Sequence, residues 1–363
     1  MENNPVSAPP EKVDFPNNAQ TEKLVQSIRA AGDYILRFQL SSGELAYQID
    51  LPTRDRYYSP SLIRLVAGSG SLYTVCRITE DGHYCEGADR ALENYFKHLL
   101  SEPDKFDGAC LYADGYCNIG SSALAIDAIY RRWQSTGETK LGNLDLLQIA
   151  REFGEFINWM RNPQGGFYHY VDVFEGVIDE VSYVVYFNGE SAMALMELYE
   201  MTGEGKWLEL ALEINDFMLQ QDISQDHWHG YTFKFKAKLN DFTRADQIYA
   251  TRIAQAIIED TDNLSKDHST ISTATKIEAL SAIALAFEAK GIAQAWLPPA
   301  IEAHANFILA RQLPNNFCGW GVEDNLEKYS GGIYRNCDSP YIRIDAQQHW
   351  INGAALYLTL LSK

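Results

Sequence analysis

The sequence predicts an all-α protein, a ring of six helical hairpins forming an (α/α)6 toroid, with a few short strands in the loops at one mouth. Three observations predict it. Apolar residues recur with helical spacing in about twelve segments that Gly, Pro and Asn interrupt. A helix ending in an aromatic residue or Leu-Tyr before a polar, Gly-containing turn recurs roughly every 60 residues, which suits one hairpin per repeat. Gly-rich aromatic loops that close on a carboxylate recur between hairpins, and such loops differ in content from plain surface connections.

The helical segments follow in order. The first, 20–40, runs into Gln39-Leu40-Ser41-Ser42-Gly43, a loop closing on Asp50. The second, 60–78, carries Leu72-Tyr73 before Glu80-Asp81-Gly82, and 86–101 follows it. Segment 118–135 carries Ile129-Tyr130 before Thr136-Gly137, and 143–161 ends on Asn162-Pro163-Gln164-Gly165-Gly166, a loop closing on Asp172. Segment 188–202 carries Leu198-Tyr199 before Thr202-Gly203 and is followed by 206–221, 226–238 and 243–259, the last holding Ile248-Tyr249. Segment 273–289 has Phe287 before Lys290-Gly291, 297–312 ends on a loop closing on Asp324, and 345–362 holds Leu356-Tyr357. A hairpin cannot bury both faces alone, so six pack side by side, and ring closure covers the last open face; an open solenoid is the alternative.

Residues 20–363 are expected to form one domain, because no Pro-, Gly- or Ser-rich linker divides them. Residues 1–19 are expected to be a disordered arm, rich in Asn, Pro and Glu and without the basic and apolar regions of a secretory signal. Thirty Lys and Arg against forty-nine Asp and Glu give a net charge of -19. That sign repels phosphate backbones and anionic lipid, so nucleic acid and membrane partners are not expected. No apolar run reaches the length of a membrane span, and a cytoplasmic location is expected. The six cysteines form no CxxC pair, and most are expected to be reduced, although their even number would permit disulfides in an exported protein.

Two segments carry a family resemblance. Phe187-Asn188-Gly189-Glu190 through Tyr199, with Thr202-Gly203, resembles the inner-helix starts of the six-hairpin glycosidase superfamily, and Arg343-Ile344-Asp345 through His349-Trp350 resembles its last-hairpin loops. The stretch from Gly331 through Arg335 to His349 is similar to the C-terminal region of glucuronyl C5-epimerases, where aromatic, Arg, Asp and His residues line a sugar cleft. The resemblance implies a toroid acting on sugars, a fold that hosts glycoside hydrolases, polysaccharide lyases and epimerases.

The residues themselves give a sugar-handling inventory. Arg343, Asp345, Gln348 and His349 open an apolar final helix beside Trp350; Asp345 is either its N-cap or a site carboxylate, and His349 shares its face. Arg343 is a candidate clamp for a sugar carboxylate. In Asp226-His227-Trp228-His229-Gly230, Asp226 is an N-cap or an acid, and Trp228 offers a stacking face. His227 and His229 point about 200° apart on a helix, so they cannot share a metal.

Glu190 opens an inner helix. Tyr168, Tyr170 and Asp172 alternate as a short strand with one face, and Arg64 sits near the second helix. Asp114-Gly115 reads as a turn. The catalytic candidates are therefore Glu190, Asp226, Asp345 and His349. The binding candidates are Arg64, Tyr168, Tyr170, His227, Trp228, Arg343, Gln348 and Trp350. No metal and no cofactor is expected, and the partner is a saccharide.

Glycoside hydrolysis by paired carboxylates is the expected chemistry. A uronic-acid lyase or sugar epimerase is the alternative, with His or Tyr moving a C5 proton. A non-catalytic sugar-binding toroid and a toroidal cyclase are further alternatives, although no DxDD or DDxxD run is present. A zinc toroid would need a Cys-His-Gly run that the chain lacks.

Overall fold

A computed structural model describes residues 8, 15–58, 61–224, 226–319 and 326–363. Asp324 and most of the expected N-terminal arm lie outside the described residues. The described residues contain twelve α-helices: α1 (Ala19–Arg37), α2 (Leu62–Thr79), α3 (Gly82–Tyr95), α4 (Ile119–Thr136), α5 (Leu146–Trp159), α6 (Phe187–Thr202), α7 (Gly205–Met218), α8 (His227–Lys238), α9 (Arg244–Glu259), α10 (Thr270–Ala289), α11 (Leu297–Leu309) and α12 (Ile344–Leu361).

The even-numbered helices form the inner ring. Each packs on the next, α2 on α4, α4 on α6, α6 on α8, α8 on α10 and α10 on α12, and α12 returns to α2, so the ring closes and the solenoid alternative is excluded. Composition explains which helices go inside. The odd helices carry one apolar stripe, as α5 does with Leu146, Ile149, Phe153 and Phe156, and an amphipathic helix packs one face only. The inner helices α2, α6 and α10 bury most of their positions, on all sides of the helix. The span of α10 is long and apolar enough to cross a membrane by composition, yet 83% of it is buried inside the protein, as a ring helix enclosed by α8, α11 and α12 must be.

Every outer helix reaches its inner partner through a connection at the same end of the ring, so all six inner N-termini face one mouth. The strands lie in these connections. β1 (Gln48–Asp50) pairs antiparallel with β10 (Tyr341–Arg343), Gln48 opposite Arg343, and with β2 (Arg56–Tyr57), which ties the first connection to the last. A five-stranded sheet runs in the order β3 (Leu99–Leu100), β4 (Cys110–Ala113), β5 (Tyr116–Asn118), β8 (Tyr170–Asp172) and β9 (Val177–Asp179). β6 (Lys140–Leu141) and β7 (Leu144–Asp145) form a small hairpin before α5. Side-chain caps fix several inner starts: Asn118 accepts from the Ser121 N–H at 2.8 Å at α4, and Asp226 from the Trp228 N–H at 3.1 Å at α8.

The expectation of reduced cysteines is overturned. Disulfides join Cys76 to Cys85, Cys110 to Cys117 and Cys318 to Cys337, leaving no free thiol among the described residues. The sequence lacks a CxxC pair because each bridge joins residues brought together by tertiary packing or by a hairpin: α2 to α3, β4 to β5, and two points of the last connection. A thiol titration of the native protein is expected to find no reactive cysteine, and reduction to lower stability by about 2–4 kcal/mol per bridge in thermal melts. A full native thiol titre with an unchanged melt on reduction would contradict the pairing.

Candidate active site

The inner N-termini surround a cavity of about 570 Å³, open at the mouth. Its wall includes Arg64 from α2, Glu190 and Tyr186 at α6, Asp226, His227 and Trp228 from α8, Lys276 from α10, and Arg343, Asp345, Gln348 and His349 from α12, with Tyr170 from β8. Six helix N-termini aimed at one volume supply a positive potential there, which favours anionic groups and developing oxyanions. Ten of the twelve residues expected to form the site therefore do line one cavity: Arg64, Tyr170, Glu190, Asp226, His227, Trp228, Arg343, Asp345, Gln348 and His349.

Two do not. Trp350 is fully buried and donates from Nε1 to Ser27 Oγ at 2.9 Å, so it belongs to the α1–α12 packing and not to the cavity. It lies one position beyond His349, and a helix turns about 100° per residue, which carries its ring from the lumen to the outer helix. Tyr168 precedes β8 instead of lying in it and is absent from the cavity wall. The alternation holds only for Tyr170 and Asp172, with Val171 buried on the other face.

The two imidazoles define the chemistry. His227 and His349 stand at right angles with ring centroids 4.9 Å apart. Behind His349 lies Glu278 of α10, fully buried, whose Oε1 is 2.6 Å from His349 Nδ1 and whose Oε2 accepts from Tyr231 at 2.5 Å. Glu278 thus fixes the His349 ring and leaves its Nε2 free for the lumen. Burial pushes His227 well below the ordinary histidine range, helped by His349 and Lys276, so its ring is neutral near pH 7.

No sequence motif links Glu278 to these histidines, since it enters from another hairpin. No metal is expected from spacing along the sequence, but the fold brings donor atoms of His227, Glu278 and His349 within 4.8 Å of one another. Those three residues are where a cation would be held. Both Glu278 oxygens are already engaged by His349 and Tyr231, which suits a hydrogen-bonded relay better than a ligand set.

The carboxyl groups divide by environment. Asp345 is not the helix cap: it accepts from Arg343 Nε at 2.8 Å and Nη2 at 2.6 Å, and Arg64 Nε lies 3.2 Å away. The expected clamp Arg343 is therefore occupied by Asp345, and the trio carries one net positive charge. Asp226 caps α8 as one sequence reading expected, and burial pushes it up to about 7. Burial and the nearby Asp226 hold Glu190 well above the usual carboxylate range.

Gly189 is required by close approach, since a Cβ there would overlap Asp226 Oδ2. Burial lowers Lys276 to about 8. His229 turns away from the cavity and stacks on Phe233 at 4.5 Å, so the two histidines of the cluster diverge as helical spacing requires.

In the sequence His169 stands only as one member of an aromatic, titratable loop with Tyr168, Tyr170 and Asp172, and its role comes from the fold. His169 is buried, accepts from the Val184 N–H at 2.7 Å through Nδ1 and stacks on Tyr183, and so pins the segment that carries Val184, Val185 and Tyr186 into the cavity wall.

No family model and no curated relative matches the sequence. Among solved structures, the chain resembles a cellobiose 2-epimerase from Bacillus thermoamylovorans, at 12% identity and a TM-score of 0.68 over 93% of this chain and 99% of that one. It resembles a D-mannose isomerase at 12% identity and a TM-score of 0.69, covering 96% and 99%. A family 76 glycoside hydrolase, a mannosidase from Bacteroides thetaiotaomicron, aligns at 11% identity and a TM-score of 0.64, covering 93% and 98%. At these identities the likeness establishes the fold alone, an (α/α)6 toroid.

Proposed function

We propose that this six-hairpin toroid is a carbohydrate-active enzyme, an epimerase or aldose–ketose isomerase that moves the proton on the carbon next to a reducing sugar's carbonyl. The carrying observation is the facing pair His227 and His349, with Glu278 behind His349. With an open-chain aldose bound, His349 Nε2 removes the C2 proton. The C–H electrons form the C1–C2 double bond, and the carbonyl electrons move onto O1. The resulting enediolate oxygen lies in the positive potential of the helix N-termini, near Arg64 and Lys276. Glu278 pairs with the imidazolium formed.

His227 acts in this step as its imidazolium, a minor form whose depressed pKa makes it a strong acid; it delivers its proton to the opposite face of C2, returns to the neutral ring and yields the epimer. Delivery to C1 instead, with the O2 proton passing to O1, yields the ketose. His227 regains its proton from solvent while His349 returns its own.

A glycoside hydrolase is the second reading, favoured by Glu190 and Asp226, two adjacent carboxyl groups with raised pKa of which one can serve as acid. It ranks below the first because Asp345, the other cavity carboxylate, is engaged by two guanidinium groups. A lyase fits less well for the same reason, as Arg343 is not free to neutralise a uronate.

The deciding experiment incubates the protein with glucose, mannose, fructose, cellobiose and mannobiose in D2O. Deuterium at C2 together with a new epimer or ketose is expected. Release of monosaccharides from the disaccharides with no deuterium at C2 would replace this reading with hydrolysis.

The three disulfides support maturation in an oxidising compartment in place of the expected cytoplasm, because cytosolic thiols are kept reduced.

A further inference from the structure

The reaction cavity is not isolated at the mouth. A second hollow of about 420 Å³ shares Ile63 and Tyr170 with it, and a third of about 500 Å³ shares Leu62, Ala113 and Asp114 with the second. The three adjoin one another across these shared walls, as a trough of neighbouring hollows that leads from the ring axis to the β4–β5 hairpin. Besides Tyr170, its second hollow is lined by Asp114, Tyr116, Asn118, Asp179 and Ser182, so hydroxyl, amide and carboxylate groups surround two aromatic rings. Such a mixture fits a pyranose unit, whose hydroxyls need acceptors and whose C–H face stacks on an aromatic ring.

The hairpin is built to hold that surface still. Asp114 and Gly115 take φ of 52° and 90°, the left-handed pair that a tight two-residue turn requires. The register pairs Ala113 with Tyr116, and the Cys110–Cys117 disulfide ties the two strands. Asp179 is fixed in turn by the Val181 and Ser182 N–H groups at 2.9 and 3.0 Å, and the Ser182 side chain, together with these backbone bonds, holds its carboxyl below the usual range, so it is an ionised acceptor. Tyr116 nevertheless remains 45% exposed and Asp114 exposed. A braced turn presenting an unstacked ring and a charged acceptor to a hollow that shares a wall with the reaction cavity has the preorganisation of a binding subsite.

The structure assigns this trough as a subsite for a second sugar unit, so that the substrate is a di- or oligosaccharide whose reducing residue enters the cavity while the next unit lies on Tyr116 and Asp114. This rests on the proposed sugar chemistry for the identity of the reacting residue, but its test is affinity alone.

Calorimetric titration of the full chain with glucose, mannose, cellobiose, maltose and mannobiose is expected to show at least one disaccharide binding about tenfold or more tightly than its own monosaccharide. Tyr116→Ala is expected to erase that advantage and leave monosaccharide affinity within about twofold, the size of one lost stacking contact. Asp114→Asn is expected to remove a smaller part. Disaccharides that bind no better than their monosaccharides, or a Tyr116→Ala protein that loses affinity for both alike, would overturn the subsite. Failure of the epimerase reading is seen separately, as absence of deuterium at C2 whatever the affinities.

Discussion

His349→Ala is expected to slow deuterium entry at C2 by about 10²–10⁴-fold, the usual contribution of a positioned general base. The reason is local. His349 is the ring that both faces the cavity and is oriented from behind by a buried carboxylate, so no neighbour can take over its proton. Glu278→Gln leaves the ring in place but puts an amide where the imidazolium must be paired, and it is expected to lower kcat by roughly 10–100-fold with KM little changed. Tyr231→Phe, which removes one of the donors to Glu278, is expected to give a kcat between the wild type and Glu278→Gln with KM little changed. Merely structural roles for Glu278 and Tyr231 would lower the melting temperature and leave kcat per folded molecule unchanged. Exchange by His349→Ala within about twofold of wild type would dismiss the two-imidazole reading altogether.

Trp350→Ala is expected to cost about 3–5 kcal/mol of stability, read from chemical denaturation, while leaving sugar affinity per folded molecule unchanged. The indole is fully buried between α1 and α12 and its N–H is bound to Ser27, whose hydroxyl in turn donates to Gln312. Removing the ring leaves a large cavity and withdraws a donor from that buried network, and both effects destabilise the seam that joins the first hairpin to the last. A Trp350→Ala protein that melts normally but loses sugar binding would restore the indole to the site.

The contrast between neighbouring residues shows where sequence reasoning reached its limit. Asp345 and His349 were legible as a pair because four residues bring a helix back to one face, and that face is the lumen. Trp350 was misread because proximity in sequence was taken for proximity in space. Glu278 sits in the middle of an apolar helix, where a lone carboxyl carries no signal, and only the neighbouring α8 and α12 reveal that it meets Tyr231 and His349. The cysteines failed for a related reason. Spacing rules detect compact metal motifs, but Cys76 and Cys85 are joined across two helices.

The sequence by itself determined the twelve helices, their hairpin rhythm and the mouth at which the polar residues gather. These depend on periodicity, glycine-containing turns and helix starts, all of which act within a few residues. Only the tertiary structure decided which of the gathered groups confront one another. Ring closure sets Glu278 behind His349, pairs Asp345 with two arginines, turns Trp350 into the core and carries the trough from the cavity to Tyr116. The physical reason is that charge pairing, desolvation and hydrogen bonding depend on distances of a few ångströms between helices far apart in the chain, and those distances are fixed only when the last helix packs against the second.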